Sequence, residues 1–157
     1  MNDDKLKTSA QNAFTQYLQQ KRLRKTPERY AILDKVFDTV EHFSVESLYA
    51  SLEGEAFHVS KATVYNTVQL LIECGLVRRH QFDNKSAQYE RVPGVGNHHH
   101  LICTQCGKIK EVKDPELIKV LNGKRYTTFT TDYFVLYVYG VCSRCAKRNR
   151  KNKNDNK

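Results

Sequence analysis

Residues 60–75 read SKATVYNTVQLLIECG, and this stretch decides how the first half of the chain folds. Ser60 is a typical helix N-cap and Gly75 suits the left-handed position after a helix end, so a helix is predicted over residues 61–74. Apolar residues at helical spacing predict its buried side: Val64, Val68, Leu71 and Ile72. Polar side chains suited to phosphates and base edges lie on the opposite side: Lys61, Tyr65, Gln69 and the neighbouring Asn66.

The segments around this helix predict further helices and a pair of strands. They are helices over residues 9–20, from Pro27 after the capping Thr26 and from Ser44, and strands over residues 76–82 and 86–92. Helices followed by a two-stranded ribbon, with a hydrogen-bonding face on the last helix, predict a winged helix-turn-helix whose last helix enters the major groove of DNA. The alternative is a small helical domain with a polar surface.

Four of the five cysteines form two Cys-x-x-Cys pairs, Cys103 with Cys106 and Cys142 with Cys145. Four thiolates supply the closed tetrahedral site that structural zinc prefers, so we expect one structural Zn²⁺ per chain. The rival interpretation is a thioredoxin-like redox pair, but no suitable βαβ pattern surrounds either motif. The fifth cysteine, Cys74, lies among apolar neighbours and is expected to be a small core residue.

The run Pro93-Gly-Val-Gly-Asn97 concentrates residues that break helices and strands, and it predicts a hinge over residues 93–97. We expect a winged-helix DNA-binding domain over residues 1–92, a metal-binding dimerisation domain over 98–145 and a basic, disordered tail over 146–157. The expected fold class is therefore α+β, with a small α/β second domain that needs zinc or a second subunit for stability.

The second domain is predicted to contain three strands and one short helix. The strands are expected over residues 98–103, 108–112 and 133–139, and the helix is expected to begin at Asp114. Exposed strand edges make pairing with another copy of the chain the natural way to complete such a sheet.

Basic charge is concentrated in the second part of the chain. Residues 96–157 contain thirteen Lys and Arg against five Asp and Glu, and the whole chain has a formal charge of +9. This charge favours a polyanionic partner, although an ordinary basic protein has the same balance. The longest apolar stretch is far shorter than the roughly 20 residues of a membrane span. The first residues, MNDDKLKTSAQ, do not resemble a signal peptide, so we expect a cytoplasmic protein with no membrane partner.

Three consecutive histidines, His98, His99 and His100, precede the first cysteine pair on a predicted strand. Because side chains alternate along a strand, His98 and His100 share one face and His99 points to the other. Two imidazoles on one face can bind one metal ion. The alternatives are surface or packed histidines, and the internal position disfavours an expression tag.

These motifs, taken in order, resemble those of the ferric uptake regulator family. The matching residues run from about residue 20 to residue 145 and are Thr26-Pro27-x-Arg29, Ala62-Thr63-Val64-Tyr65, Cys74-Gly75-Leu-Val77, His98-His99-His100-Leu-Ile-Cys103-x-x-Cys106-Gly107-Lys108 and Tyr137-x-Tyr139-Gly140-x-Cys142-x-x-Cys145. The resemblance implies a dimeric, metal-sensing repressor that binds double-stranded DNA. A twofold dimer implies an inverted-repeat target, which we expect to be rich in A and T.

The resemblance also implies a regulatory metal site. Carried over by position, its ligands are three imidazoles and two carboxylates: His42, Glu90, His98, His100 and Glu111. This donor set is harder than four thiolates and suits Fe²⁺ or a similar divalent ion. Each residue also has an ordinary interpretation, in which His42 caps a loop and the two acids are solvated.

Six polar residues are expected to contact DNA. Lys61 and Arg29 are expected to meet phosphates, Tyr65 to touch thymine methyl groups, and Asn66 or Gln69 to contact base edges. Arg24 is expected to enter a narrow minor groove.

Departures from the family pattern bear on the metal sites and on the dimer. A further metal site found in many relatives requires ligands at positions that here read Asn97, His99 and Phe134, so we expect it to be absent or weakened. The helix after Asp114 is short and residues 124–131 are unusual, which leaves the dimer geometry open.

Glutamate at position 90 favours iron sensing, whereas aspartate there would favour peroxide sensing. The open alternatives are a family member that senses another effector, which is peroxide through iron, or zinc, or manganese, or haem, and a constitutive DNA-binding protein with structural zinc only. A zinc hydrolase or deaminase is disfavoured, because the sequence contains neither His-Glu-x-x-His nor His-x-Glu ahead of Pro-Cys-x-x-Cys. No catalytic residue is predicted.

Overall fold

The computed structural model describes residues 3–39, 42–54, 58–82, 87–92 and 98–154, with side chains up to residue 151. The chain divides into two compact units, residues 1–95 and 96–157. The predicted hinge, residues 93–97, lies outside the described residues. No helix in the described ranges is both long and apolar enough to cross a membrane.

Four helices and a two-stranded ribbon build the first unit, as the α+β winged helix-turn-helix prediction requires. The helices are α1 (Asp3–Gln20), α2 (Pro27–Asp38), α3 (Val45–Leu52) and α4 (Lys61–Glu73), and the ribbon pairs β1 (Val77–His80) with β2 (Gln88–Arg91) in antiparallel register. Helix α1 begins six residues before the predicted start at Ser9. Asp3 and Asp4 in its first turn interact favourably with the positive end of the helix dipole.

Local capping explains where the last two of these helices begin. Ser44 and Ser47 form a reciprocal capping box at the start of α3, and the Ser60 hydroxyl accepts a hydrogen bond from the Thr63 amide at the start of α4. Gly75 follows α4 with φ of +76°, a conformation that strains any residue with a Cβ. The Thr26 side chain makes no capping hydrogen bond, and α2 begins instead with Pro27 in its first turn.

The helices of the first unit pack around a continuous apolar core. Phe14 and Leu18 of α1, Leu33 of α2 and Leu71 of α4 are completely buried in one cluster. The buried side of α4 contains Val64, Val68 and Leu71, so its opposite side faces solvent.

A three-stranded sheet with two helices forms the second unit. The strands are β3 (His99–Cys103), β4 (Ile109–Val112) and β5 (Tyr137–Gly140), in the order β4-β3-β5, and the helices are α5 (Pro115–Gly123) and α6 (Ser143–Asn154). Strand β3 is antiparallel to β4 and parallel to β5. Strand β5 begins four residues later than predicted, because its register with β3 starts only at Tyr137 opposite His100.

The tail predicted to be disordered from residue 146 is helical as far as Asn154, so that prediction was wrong for residues 146–154. Helix α6 begins directly after Cys142, and its Cys145 is completely buried. The Asn149 side-chain amide donates to Gln105 Oε1 at 3.2 Å and attaches the second turn to the first cysteine pair. Lysine and arginine are good helix formers, so the helix continues once its first turns are fixed.

Little of the second unit is buried. Helix α5 has no buried residue. Among the described residues of this unit the buried ones are His99, His100, Ile102, Cys103 and Cys145. A core that consists largely of cysteine and histidine indicates that this unit depends on metal for its stability.

The packing of α4 predicts the effect of a core truncation in the first unit. Leu71→Ala should lower the free energy of unfolding by about 2–5 kcal/mol, because a cavity is left where a completely buried side chain was. Urea denaturation followed by circular dichroism measures this loss. Leu23→Ala, at a side chain that is 36% exposed, is the control and should change stability by no more than about 0.5 kcal/mol. Equal losses in both variants would contradict the assigned core.

Candidate functional site

The four paired cysteines meet at one end of the second unit's sheet. Cys103 ends β3 and Cys106 follows in the turn before Gly107, while Cys142 follows β5 and Cys145 lies in the first turn of α6. The parallel pairing of the two strands sets Cys103 opposite Gly140, and this register brings the two pairs together although they are far apart in sequence.

The geometry of the four thiols fits a tetrahedral zinc ion. The four Sγ atoms lie within 4.8 Å of one another, and Cys106 Sγ is 3.8 Å from Cys142 Sγ. Zinc with four thiolates at its usual bond length separates neighbouring sulfurs by about 3.8 Å. The cysteine cluster is therefore a structural zinc site, with each coordination position taken by the protein.

Backbone amides prepare two of the thiols to ionise. The Cys142 amide, which donates to Cys103 Sγ at 3.3 Å, together with the Cys106 amide lowers the pKa of Cys103 to about 6. The Lys108 amide lowers the pKa of Cys106. Burial raises the pKa of Cys145 to about 12, so this thiol needs the charge of the metal ion in order to ionise. Cys74 lies outside the cluster, half-buried at the end of α4, as expected of a small core residue.

The first unit brings together two of the five predicted regulatory ligands. His42 Nε2 lies 3.5 Å from Glu90 Oε2, and the Glu90 side chain is only 6% exposed. Arg78 donates to the other carboxylate oxygen, Oε1, at 3.3 Å. Glu90 is therefore a buried acid rather than a solvated one.

His80 joins this group and was missed by the sequence analysis. Its Nε2 lies 2.9 Å from Glu90 Oε1, and its side chain is completely buried. The strand register explains this contact. Arg78 pairs with Glu90, and His80 lies two residues further along β1 on the same face, so its ring is a diagonal neighbour of the Glu90 carboxylate. Residues 83–86, which join the two strands in sequence, lie outside the described residues.

The second unit brings together the other three predicted ligands. His98 Nε2 is 3.2 Å from His100 Nε2 and 4.0 Å from a carboxylate oxygen of Glu111. Strand pairing sets Glu111 of β4 directly opposite His100 of β3, so both side chains share one face. Of the three positions that depart from the family's further metal site, His99 is buried, Phe134 is half-buried and Asn97 lies outside the described residues.

The solvent-facing side of α4 presents the residues that the sequence assigns to DNA contact. Lys61, Tyr65, Asn66 and Gln69 are all exposed. The Tyr65 hydroxyl donates to Glu46 Oε1 of α3 at 2.8 Å, and Lys61 Nζ lies 3.5 Å from the same oxygen. The hydrogen bond from Tyr65 lowers the pKa of Glu46, which therefore holds both residues as a carboxylate.

The two other residues assigned to DNA contact lie at the junction of α1 and α2. Arg24 is exposed, while Arg29 is partly buried and its guanidinium donates to the backbone carbonyl of Arg24. Arg29 therefore fixes the backbone that presents Arg24 to solvent.

The chain is similar to a known protein family and to several proteins of known function. Residues 20–139 match the model of the ferric uptake regulator family. The chain is 35% identical to the peroxide operon regulator of Bacillus subtilis (strain 168) over 127 residues, which are 80% of this chain and 86% of that protein. It is 30% identical over 129 residues to the peroxide-responsive repressor PerR of Staphylococcus aureus (strain Mu50 / ATCC 700699), covering 82% of this chain and 86% of that one.

A solved structure shows the same fold. The ferric uptake regulator from Pseudomonas aeruginosa, determined with manganese, superposes with a TM-score of 0.68 at 30% identity, covering 82% of this chain and 97% of that chain. The family-model match over residues 20–139 includes helices α2 to α4, strand β3 with its histidines, and the first cysteine pair. The chain therefore belongs to the ferric uptake regulator family of metal-responsive transcriptional regulators.

Proposed function

We propose that the chain is a cytoplasmic, dimeric, iron-dependent repressor that binds an A/T-rich inverted repeat, with His42, Glu90, His98, His100 and Glu111 as ligands of one regulatory ion. The observation that supports this most directly is that the histidines and carboxylates within each unit face each other at short distances. These nitrogen and oxygen donors are separate from the four zinc-binding thiols.

The chemistry of the donors supports an ion different from the structural one. Imidazoles and carboxylates suit Fe²⁺ and similar ions, whereas the thiolates retain zinc. One ion bound by ligands from residues 1–95 and 96–157 would restrict the movement of the DNA-binding helix relative to the dimerisation unit. It regulates only to the extent that it binds the DNA-competent arrangement more tightly, and a shift from 1:99 to 99:1 needs about 5.5 kcal/mol of such preference.

The face of α4 supports the DNA-binding part of the proposal. Glu46 holds Tyr65 and Lys61 in place while the protein is free. This carboxylate would repel DNA phosphates and so disfavour non-specific contact with DNA. It would restrict phosphate contact by Lys61 to DNA sites where Tyr65 also contacts a base. Arg24 is exposed and would therefore be able to contact the minor groove. Arg29 donates a hydrogen bond to the backbone carbonyl of Arg24, so we expect it to hold Arg24 in place as well as to contact a phosphate.

Peroxide sensing is the second candidate, because two curated relatives at 35% and 30% identity are peroxide-responsive regulators. Glutamate rather than aspartate at position 90 favours iron sensing instead. The two functions differ in redox chemistry: a peroxide sensor loaded with Fe²⁺ loses DNA affinity on exposure to hydrogen peroxide, and the same protein loaded with Mn²⁺ keeps it.

A titration of DNA affinity with single metals, on chain that retains its zinc, tests the proposed function. Gel-shift or fluorescence-anisotropy assays should show tighter operator binding with Fe²⁺ or Mn²⁺ and loss of binding when a chelator removes that ion. DNA affinity that no added metal changes would overturn the proposal and leave a constitutive DNA-binding protein with structural zinc.

The histidine pair predicts how the regulatory response is lost. His98→Ala combined with His100→Ala should abolish the metal-dependent increase in operator affinity, because two of the proposed ligands are gone, while one zinc per chain remains. Anisotropy measures the first quantity and elemental analysis the second. His58→Ala, at an exposed histidine of the first unit, is the matched control and should respond to metal like the unsubstituted chain.

Removal of the exposed Tyr65 ring is predicted to weaken sequence-specific binding to the operator. Tyr65→Ala should weaken operator binding by about tenfold or more, which corresponds to about 1.4 kcal/mol, with metal content unchanged. Tyr65→Phe should cause a smaller loss, because the ring remains but its hydrogen bond to Glu46 is gone. Operator affinity that neither variant changes would show that α4 does not present this side to DNA.

The zinc site predicts a selective unfolding of the second unit. Cys142→Ser should reduce the zinc content from one ion per chain towards zero and unfold the second unit, because few other buried groups stabilise it. Elemental analysis and the loss of the sheet's amide signals in NMR measure both effects. Cys74→Ser should keep its zinc, since that cysteine lies outside the cluster. Full zinc content in Cys142→Ser would contradict the four-thiol site.

A further inference from the structure

We propose that His80 is a metal ligand and that His42, His80 and Glu90 bind a divalent cation as a three-donor site lying wholly within the first unit. This inference rests on the proposed function, because it adds a ligand to the regulatory set. It goes further in two respects: His80 lies outside the motifs quoted above for the family resemblance, and the first unit holds the ion without help from the second.

The ribbon and the loop before α3 bring the three donors together. His80 ends β1 and Glu90 lies on β2, on the same face of the ribbon, while His42 directly precedes Phe43, which pairs with Tyr89 of β2. Backbone hydrogen bonds join Phe43 and Tyr89 in both directions, at 2.9 and 2.8 Å. The positions of all three donors are therefore set by the backbone.

The separations of the donor atoms match those around a single ion. Glu90 Oε1 is 2.9 Å from His80 Nε2, Glu90 Oε2 is 3.5 Å from His42 Nε2, and the donor atoms of the three residues lie within 4.8 Å of one another. Around an ion with bonds of 2.1 Å, neighbouring donors are about 3.0 Å apart in octahedral and about 3.4 Å apart in tetrahedral geometry.

Phe82 closes one side of the group. Its ring stacks on His80 with a centroid distance of 5.2 Å and an interplanar angle of 3°, and it meets the His42 ring edge-on at 5.5 Å. The phenyl ring fixes both imidazoles and excludes water from that side. Donors that are already held in place and partly shielded from water lose little entropy when an ion binds, and this favours metal binding by the three residues.

Arg78 sets an upper limit on the affinity of this site. Its guanidinium lies 3.3 Å from Glu90 Oε1 and neutralises part of the carboxylate's charge. Two imidazoles and one partly neutralised carboxylate should bind a divalent cation more weakly than the five-ligand set. Such a site suits Mn²⁺, Fe²⁺ or Zn²⁺ by its donor types.

The test uses full-length, zinc-loaded chain in which the second unit's donors are removed by His98→Ala, His100→Ala and Glu111→Gln. Mn²⁺ is the probe, because this hard ion does not compete for thiolates, and free Mn²⁺ is measured by electron paramagnetic resonance. We expect one Mn²⁺ per chain, bound about tenfold or more weakly than by the unsubstituted chain. Absence of Mn²⁺ binding in this triple variant overturns the inference.

The contribution of His80 is measured in the same background. Adding His80→Asn should lower the Mn²⁺ affinity at least about tenfold further, whereas adding His58→Asn should leave it unchanged. Equal affinities with and without His80→Asn overturn the role of His80. Circular dichroism and zinc content establish that each variant is folded.

A measurement without substitution at His80 covers the case in which His80→Asn does not fold. In the triple variant, bound Mn²⁺ should broaden the imidazole NMR signals of His42 and His80 at lower Mn²⁺-to-protein ratios than that of the exposed His58. A His80 signal that stays sharp at saturating Mn²⁺ overturns the inference.

The outcomes for this inference and for the proposed function are distinguishable. If the unsubstituted chain gains DNA affinity with Mn²⁺ and the triple variant binds none, this inference fails alone. If the triple variant binds Mn²⁺ and DNA affinity never responds to metal in the unsubstituted chain, the proposed function fails and the His80 site stands.

Discussion

The second unit depends on the parallel pairing of β3 with β5. That pairing brings Cys103 close to the segment that follows Gly140, so the four thiols converge although 35 residues separate the two pairs in the sequence. Few other groups in this unit are buried, and the pairing and the zinc ion therefore stabilise each other. The basic helix α6 is a consequence of the same site, because its first turn contains Cys145.

Strand β3 also separates two kinds of metal chemistry. His98 directly precedes the strand and His100 lies near its start, whereas Cys103 ends it, with Leu101 and Ile102 between the two kinds of donor. Soft thiolates favour zinc, while imidazoles with a carboxylate favour harder ions. If the histidines hold the regulatory ion, as proposed, that ion would be able to dissociate while the zinc maintains the fold of the unit.

The sequence predicted the features that depend on local patterns. The caps at Ser44 and Ser60, the turn at Gly75 and the two cysteine pairs were identified from neighbouring residues, and they led to the correct α+β fold and to the ferric uptake regulator family. Features that depend on long-range pairing were missed. The length of β5 is set by β3, the order in α6 is set by the zinc cluster, and the role of His80 appears only once the register of the β1–β2 ribbon is known.

If one ion takes ligands from both units, as proposed, the division of the donors has an energetic consequence. Each unit contains a group of two imidazoles and one carboxylate, and three donors are fewer than a divalent ion usually takes. An ion held by one group would gain further bonds only in an arrangement that adds donors from the other. The difference between these two affinities would be the free energy with which the metal drives the change in arrangement. A strong site within the first unit would bind the ion equally well in every arrangement and transmit nothing. On the proposed function, Arg78 would therefore enlarge the response by weakening that site, because a greater share of the binding energy would then depend on the second set of ligands.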